Sequence, residues 1–299
     1  MKGRDSLAVR LGRVFQNQYR HFGFLDDAVL PFLKRKPMPL VCIVAPPRSG
    51  STLTYQVLTA AFENSHLANL TNLLYATPAV GLLLQQSVCA GYETAYRSKM
   101  GFVDGICGEA EGLKFWSHWM GQGLMEDAAS LDPEALSRLK GRLERVSGRP
   151  YITGYLGHAF SMELLRQTFD RVLFIHLKRD LLSNSYSLLK LSGQGMVSTV
   201  PAICREREYA GPHARVVDQI MQIHRIIERD SGNDTIQIAY EALCEEPDTV
   251  LKQIAEKASE LGIALQQHKS IAPFEVSRVA AELNADTQKL AALIGGEHA

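Results

Sequence analysis

The sequence predicts an α/β fold: a three-layer sandwich in which a central parallel sheet is flanked by helices. Leu40–Val44 is a short, uncharged segment rich in β-branched residues, as in a parallel strand buried on both faces. A second segment of this kind, residues 172–177, follows a helical pattern at 161–169. Strand, helix and strand in this order are typical of doubly wound sheets.

The 299 residues, of which 46% are hydrophobic, can bury one large core. We therefore predict a single domain over residues 1–299. Apolar residues recur at helical spacing near the N-terminus, which predicts a helical extension at 1–37. The Ala-rich C-terminal segment predicts a helical tail at 265–299.

The charge balance limits the classes of partner. Thirty-two basic residues match 32 acidic ones, so no global field favours nucleic acid or an anionic membrane, and an anion site must be built locally. Arg10 and Arg13 interrupt the N-terminal apolar residues, unlike a secretory signal. The uncharged span 67–92 is too polar to cross a membrane. We expect a soluble, cytoplasmic protein, compatible with a homo-oligomer.

The cysteines predict neither a zinc site nor a disulfide. They are odd in number, widely scattered and without CxxC or Cys/His ligand spacing. We therefore expect reduced thiols and no metal. The five are Cys42, Cys89, Cys107, Cys204 and Cys244.

The most informative segment is the turn that follows the first predicted strand. Pro46 and Pro47 end the strand, and Gly50 allows the backbone to wrap closely around a ligand. Ser51 and Thr52 then begin a helix. Such a loop directs free N–H groups and the positive end of the helix dipole at one point. The segment therefore predicts a phosphate-binding site.

This loop is not a nucleoside-triphosphate loop. The GxxxxGK[ST] pattern would need Gly at position 45 and Lys at position 51, where the chain has Ala45 and Ser51. Its cation, Arg48, lies inside the turn instead. The alternative interpretation at this point is an ordinary turn in which Arg48 is merely solvated.

The loop PPRSGSTL resembles the 5′-phosphosulfate loop of sulfotransferases, in which a Lys or Arg precedes Ser-Gly-[ST]-[ST]. These enzymes bind 3′-phosphoadenosine 5′-phosphosulfate (PAPS). The resemblance implies that the loop binds the phosphosulfate and that Arg48 also acts in catalysis. The donor-binding residues it implies here are Pro47, Arg48, Ser49, Gly50, Ser51 and Thr52.

Two later segments fit the same family. Arg179 follows the strand at 172–177 and Ser187 comes eight residues later, about two helical turns on. A guanidinium and a hydroxyl at the carboxyl edge of a sheet suit a phosphate monoester. The pair resembles the 3′-phosphate element of sulfotransferases. Tyr240 begins a segment resembling their Tyr-Glu-x-Leu-x-x-x-Pro, which implies a position beside the adenine.

Together the three segments make residues 40–261 resemble a divergent, bacterial-like sulfotransferase of P-loop-type α/β fold. The resemblance implies in-line transfer of a sulfuryl group from PAPS to an unknown hydroxyl or amine, with the bisphosphate PAP as product and no metal. One alternative is a P-loop kinase or another nucleotide-binding protein. A kinase would favour a loop Lys and an acidic residue ending a strand, where this chain has Lys178 and Arg179. A catalytically inactive, sulfotransferase-like binding protein is a third.

The chain departs from the family in two places. Residues 152–157 read ITGYLG, without the Lys that many members place shortly before the second strong strand. The family's C-terminal Arg-Lys-Gly element is also missing, and Arg278 is a candidate replacement.

The catalytic base is sought among Glu109, Glu111, His118 and His158. His158 lies near the position of the catalytic His in phenol and steroid sulfotransferases. Glu111 lies in a Gly-rich segment at 101–119, where more distant sulfotransferases tend to have a carboxylate. We favour Glu111, because a carboxylate flanked by glycine and Trp residues can be partly desolvated, with its pKa raised. The alternative interpretations are that His158 is a packed histidine and that Glu111 is a solvated loop charge.

Overall fold

The structure is a computed structural model that describes residues 22–99, 101–121, 123, 125, 130–194 and 198–296. The amphipathic helix predicted near the N-terminus lies outside the described residues. Only residues 22–37 of the predicted 1–37 extension are described. The strands are β1 (Leu40–Val44), β2 (Ser65–His66), β3 (Tyr151–Thr153), β4 (Val172–Lys178) and β5 (Thr235–Ala239). The α-helices are α1 (Phe24–Val29), α2 (Ser51–Ala61), α3 (Asn69–Leu73), α4 (Pro78–Val88), α5 (Leu113–Met120), α6 (Pro133–Val146), α7 (Met162–Thr168), α8 (Leu181–Ser192), α9 (Ala202–Glu206), α10 (Pro212–Asp230), α11 (Tyr240–Glu245), α12 (Pro247–Glu260) and α13 (Ala285–Gly296).

The described strands form one parallel sheet in the order β2-β3-β1-β4-β5. Leu40 of β1 pairs with Tyr151 of β3 on one side and with Val172 of β4 on the other. The chain runs from β1 outward to β2, returns to β3, and then crosses to β4 and β5. The connections therefore change direction at β1, and ligands of open α/β sheets bind at the carboxyl edge of such a switch point.

The α/β prediction is confirmed, and β1 shows why its sequence is so apolar. Leu40, Cys42 and Val44 enter one core cluster, while Val41 and Ile43 enter a second cluster on the opposite face. Helices cover both faces, so neither face of the strand tolerates a polar side chain. The aromatic residues of α5 are buried in the first of these clusters: Phe115, Trp116 and Trp119.

The expectation that all the cysteines are reduced is wrong. Cys89 and Cys107 form a disulfide, with Cα atoms 5.5 Å apart. The chain folds back between the end of α4 and the following loop, an approach that the 18-residue sequence separation does not reveal. Among the described residues the free cysteines are Cys42, Cys204 and Cys244, all buried.

The predicted C-terminal tail is helical only over α13. Residues 265–284 of the predicted tail contain no helix, and only a few of their side chains reach the core. Ile271 is buried in the second core cluster, and Phe274 and Val276 pack against it. No helix in the described part of the chain is both long and apolar enough to span a membrane.

Candidate active site

The loops at the carboxyl ends of β1, β4 and β5 open onto one cavity of about 700 Å³. A cavity of this size and position suits a nucleotide-sized ligand. Nearly all predicted site residues line it, although they come from distant parts of the sequence. Those residues are Pro47, Arg48, Gly50, Ser51, Thr52, Glu109, Glu111, Arg179, Ser187 and Tyr240.

Hydrogen bonds from α8 hold the loop that follows β1. The Ser49 hydroxyl is fully buried, 2.9 Å from the Pro46 carbonyl oxygen and 3.0 Å from Asn184 Oδ1. Asn184 Nδ2 donates to the Pro47 carbonyl at 2.8 Å. The side chain of Ser49 thus faces away from the cavity, unlike those of Ser51 and Thr52. We infer that only its backbone N–H can contribute to ligand binding.

Gly50 lies directly against the ring of Tyr240. Its φ is 92°, in the left-handed region, and a Cβ added there would lie 2.2 Å from Tyr240 Cδ2. A larger residue would therefore have both an unfavourable backbone conformation and a collision with the ring. Since α2 begins at the next residue, this close contact also fixes the direction of its N-terminus.

The three sequence segments contact one another around Arg48. Arg48 Nε donates to Ser187 Oγ at 3.0 Å, and Arg179 Nη1 donates to the Arg48 carbonyl at 2.8 Å. The Arg179 guanidinium lies over the Tyr240 ring, 4.9 Å from its centroid. Burial, and then the nearby Arg179, lower the pKa of Arg48, while Glu111 raises it. Two adjacent cations at a sheet edge favour a bound anion.

Glu111 also lines the cavity and is linked to the helix that follows the loop. Thr52 Oγ1 donates to Glu111 Oε1 at 3.2 Å. Burial raises the pKa of Glu111 to about 7, against the opposing effects of this hydrogen bond and of Arg48. A carboxyl group with this pKa is partly ionised at neutral pH and can accept a proton there.

Glu109 also lines the cavity but is surrounded by neutral donors. Its side chain is buried, and its carboxylate oxygens lie 3.4 to 3.5 Å from polar atoms of Gln56, Thr59, Tyr92 and Thr94. These contacts tie the loop to α2 and to the segment after α4. They are weak individually at this distance, but together they orient the carboxylate.

Neither histidine candidate lines the cavity. His158 is fully buried, with Nε2 3.2 Å from Thr153 Oγ1 and its ring 4.5 Å from that of Trp116. Burial lowers the pKa of His158 to about 3. His118 lies on the outer side of α5, between the rings of Tyr75 and Trp119. Both environments are those of packing residues.

Sequence reasoning missed several cavity and support residues. Asn184 is one, and only the polar character of LLSNSYS on a helix could have indicated it. Lys114 and Lys190 line the cavity as well, although no motif identifies them. Arg278 does not line it: its guanidinium pairs with Glu245 at 3.1 Å and the side chain is 62% exposed. Among the described residues no His, Cys, Asp and Glu side chains form a cluster of three or more suited to a metal ion.

A comparison with protein families agrees with this geometry. The sequence matches the family described as "Sulfotransferase family" over residues 39–261, most of the chain. The chain belongs to the sulfotransferase family. This confirms the resemblance that the three sequence segments indicated, and the family implies PAPS as the donor.

Crystal structures of other sulfotransferases have a similar fold. One from Mycobacterium avium has a TM-score of 0.51 at 16% identity, covering 94% of this chain and 73% of that one. One from Mycobacterium tuberculosis H37Rv has a TM-score of 0.51 at 12% identity, covering 94% of this chain and 77% of that one. At these identities the comparison establishes the fold of this sulfotransferase and not its acceptor. A comparison with curated protein sequences gave no match.

Proposed function

We propose that this sulfotransferase moves the sulfuryl group of PAPS to a hydroxyl or amine by in-line transfer. One observation carries the proposal: Arg48, Arg179, Ser187 and Tyr240 meet in one cavity that Glu111 also lines. A donor with phosphate groups at two positions needs cations at two places, and the acceptor needs a base on the far side of the sulfur.

The loop after β1 binds the 5′-phosphosulfate. Arg48 and the N–H groups of residues 49–52 contact its oxygens, and the hydroxyls of Ser51 and Thr52 add hydrogen bonds. Arg179 and Ser187 hold the 3′-phosphate, and Tyr240 lies beside the adenine. This arrangement uses the N-terminus of α2 and the first turns of α8.

In the chemical step the acceptor oxygen or nitrogen attacks sulfur as the bond from sulfur to the bridging oxygen breaks. The bonding electrons move to that oxygen, which leaves with PAP. Arg48 and the loop amides stabilise the charge that develops there, an interaction stronger in the transition state than in the ground state. The acceptor proton goes to Glu111, whose pKa of about 7 matches neutral conditions.

Donor recognition is tested first, by thermal unfolding of the purified protein with PAP or with ATP·Mg. We expect PAP, but not ATP·Mg, to stabilise the protein, by about 2.7 kcal/mol when PAP is present at a hundred times its Kd. Stabilisation by ATP·Mg without PAP would contradict the proposal and favour a kinase.

The base is tested by comparing Glu111→Gln with His158→Asn, using PAPS and a panel of hydroxyl and amine acceptors. We expect Glu111→Gln to lower kcat by about 10² to 10⁴, the range of general-base catalysis. His158→Asn, at a packed site outside the cavity, is the matched control. Both variants should still bind PAP. Loss of less than about tenfold in Glu111→Gln would assign the base elsewhere. PAP binding without transfer to any acceptor would favour an inactive homologue.

A further inference from the structure

Helix α8 presents a row of polar side chains to the cavity. Ser183, Ser187 and Lys190 are four and three residues apart, so they lie on one helix face, and all three line the cavity. The Ser183 hydroxyl accepts a hydrogen bond from Val279 N at 3.0 Å, and that of Ser187 accepts one from Arg48. This row therefore begins with Ser183 near the carboxyl edge of the sheet, and its last member, Lys190, is positively charged.

Lys190 is exposed, and no carboxylate of the described residues pairs with it. Its Nζ lies 5.0 Å from the centroid of the Tyr186 ring, one helical turn before it. None of the ion pairs among the described residues includes it. The ammonium group is thus available to a ligand in the cavity.

Arg179 alone is a poor match for a phosphate dianion. Its guanidinium has five N–H groups. Nη1 donates to the Arg48 carbonyl at 2.8 Å and Nη2 to the Ser277 carbonyl at 2.7 Å, while Nε is buried without a partner among the described residues. One N–H on each terminal nitrogen remains for a ligand. A single positive charge and two donors leave a dianion incompletely balanced.

Lys190 is the cation placed to complete this site. Cβ atoms three residues apart on a helix face lie about 5–6 Å from each other, a distance that a Lys side chain can span to reach a group bound at Ser187. Arg48 also contacts Ser187, but it is assigned to the 5′-phosphosulfate. Arg278, the candidate replacement for the family's C-terminal basic element, is paired with Glu245 and lies outside the cavity. Of Arg278 and Lys190, only Lys190 can therefore supply the further charge.

We infer that Lys190 binds the 3′-phosphate of the donor together with Arg179 and Ser187. This inference rests on the proposed function, because it takes the ligand to be a 3′-phosphorylated adenine nucleotide. Lys190 would then be a specificity-determining residue. It would distinguish nucleotides with a 3′-phosphate from those without one and leave the sulfuryl group untouched.

Calorimetry on PAP and on adenosine 5′-phosphate tests this assignment. We expect Lys190→Met, which keeps the length of the side chain but not its charge, to weaken PAP binding about tenfold, or 1.4 kcal/mol. Binding of adenosine 5′-phosphate should not change, and Lys190→Arg should restore PAP binding. Added salt should weaken PAP binding less in Lys190→Met than in the wild type. Lys252→Met, at an exposed position on α12, is the control and should have no effect.

An equal loss for both nucleotides, or no loss for either, would overturn the assignment. So would a change confined to the KM of the acceptor with the Kd of PAP unaltered, which would place Lys190 at the acceptor. Failure of the wild-type protein to bind PAP would instead contradict the proposed function.

Discussion

Arg48 combines an unusual backbone with a central position in the site. Its φ is 68°, a left-handed conformation rare in residues other than glycine. Such conformations persist where the surroundings enforce them and concentrate at functional sites. Here Arg179 binds the carbonyl of Arg48, and Ser187 binds its side chain. The guanidinium is thereby positioned before the donor arrives.

We expect Arg48→Ala to lower kcat by about 10²-fold or more, as for loss of an oxyanion-hole donor. PAP affinity should fall less, because the loop N–H groups remain and the charge matters most as the S–O bond breaks. Steady-state kinetics and PAP calorimetry measure the two effects. Arg225→Ala, an exposed position on α10, is the control. Unchanged turnover in Arg48→Ala would remove this residue from the mechanism.

Loss of Arg179 should change nucleotide preference more than turnover. Arg179 is proposed to bind the 3′-phosphate through its remaining N–H groups, so we expect Arg179→Ala to bind PAP and adenosine 5′-phosphate with similar affinity. Calorimetry on the two nucleotides measures the preference directly. If Arg179→Ala still preferred PAP as strongly as the wild type, the phosphate would have to bind elsewhere.

Substitutions at Gly50 and at Gly91 distinguish the effect of backbone strain from that of a steric collision. Gly91 has a similar φ of 81° but nothing within 4 Å of an added Cβ, whereas at Gly50 the Tyr240 ring is 2.2 Å away. We expect Gly91→Ala to lower the free energy of unfolding by about 1 kcal/mol. Gly50→Ala should cost more and should also weaken PAP binding, since Tyr240 must move. If urea unfolding showed the same loss of stability in both variants, and Gly50→Ala still bound PAP normally, the contact with the Tyr240 ring would be unimportant.

Among the residues, those within motifs could be predicted and those that depend on long-range contacts could not. Arg48 and Arg179 were identified because their neighbours in sequence form recognisable loops. Asn184 acts on a loop 137 residues away, and its partners become visible only when α8 packs under that loop. Likewise, His158 is a candidate base because its position resembles that of the catalytic His in phenol and steroid sulfotransferases, yet the fold places its ring in the core.

At the scale of elements, strands buried on both faces were the easiest to predict. β1 is a continuous apolar run and β4 is apolar apart from His176 and Lys178, whereas β2 is two polar residues and gives no signal. The Ala-rich composition predicts a helical tail at 265–299, of which only α13 is helical. Ile271, Phe274 and Val276 pack in the second core cluster instead, so tertiary contacts override a weak propensity.

The disulfide lies next to the segment that carries Glu109 and Glu111, on the side of the cavity proposed for the acceptor. Cys107 lies in the loop that continues to Glu109 and Glu111, and Cys89 follows α4 directly. The donor side is built separately, on β1, β4 and β5. A break in the disulfide should therefore loosen one wall of the cavity and leave the other unchanged.

We expect Cys89→Ser, or a reductant, to raise the KM of the acceptor or lower kcat while the Kd of PAP stays the same. The reductant should have no further effect on the Cys89→Ser variant, which serves as the control. Kinetics with a chosen acceptor and calorimetry with PAP give the two readouts. A fall in PAP affinity equal to the loss in turnover would mean that the two walls are coupled.

For the whole molecule, the sheet brings together groups that are far apart in sequence. Arg48, Arg179 and Tyr240 follow three adjacent strands, β1, β4 and β5, at their carboxyl ends. The order of the motifs predicted this meeting, because parallel strands end at one edge. The loop with Glu111 follows no strand of the sheet. Its position depends on a bridge between Ala68 and Glu109, which no sequence pattern indicates.

Histidines buried in the neutral form should limit the stability of the whole molecule in acid. Burial lowers the pKa of His66 to about 4 and that of His158 to about 3. It also lowers the pKa of His176 and His224, whose ring nitrogens lie 2.8 Å apart. In the unfolded chain such groups titrate near about 6.5. Below that pH the unfolded chain binds more protons, so the free energy of unfolding falls as the pH falls.

Glu111 opposes this trend, because its pKa is about 7 in the folded protein, whereas the ordinary value expected in the unfolded chain is 4.5. Between these values the folded protein binds the extra proton and gains stability as the pH falls. With His118 included, five histidines have a lowered pKa, whereas two carboxyl groups, Glu111 and Asp26, have a raised one. We therefore expect a net loss of stability between about pH 6.5 and 5, measurable by urea unfolding. Glu111→Gln should make the decline steeper and His158→Asn should make it shallower. Parallel curves for the wild type and both variants would show that other groups control the acid response.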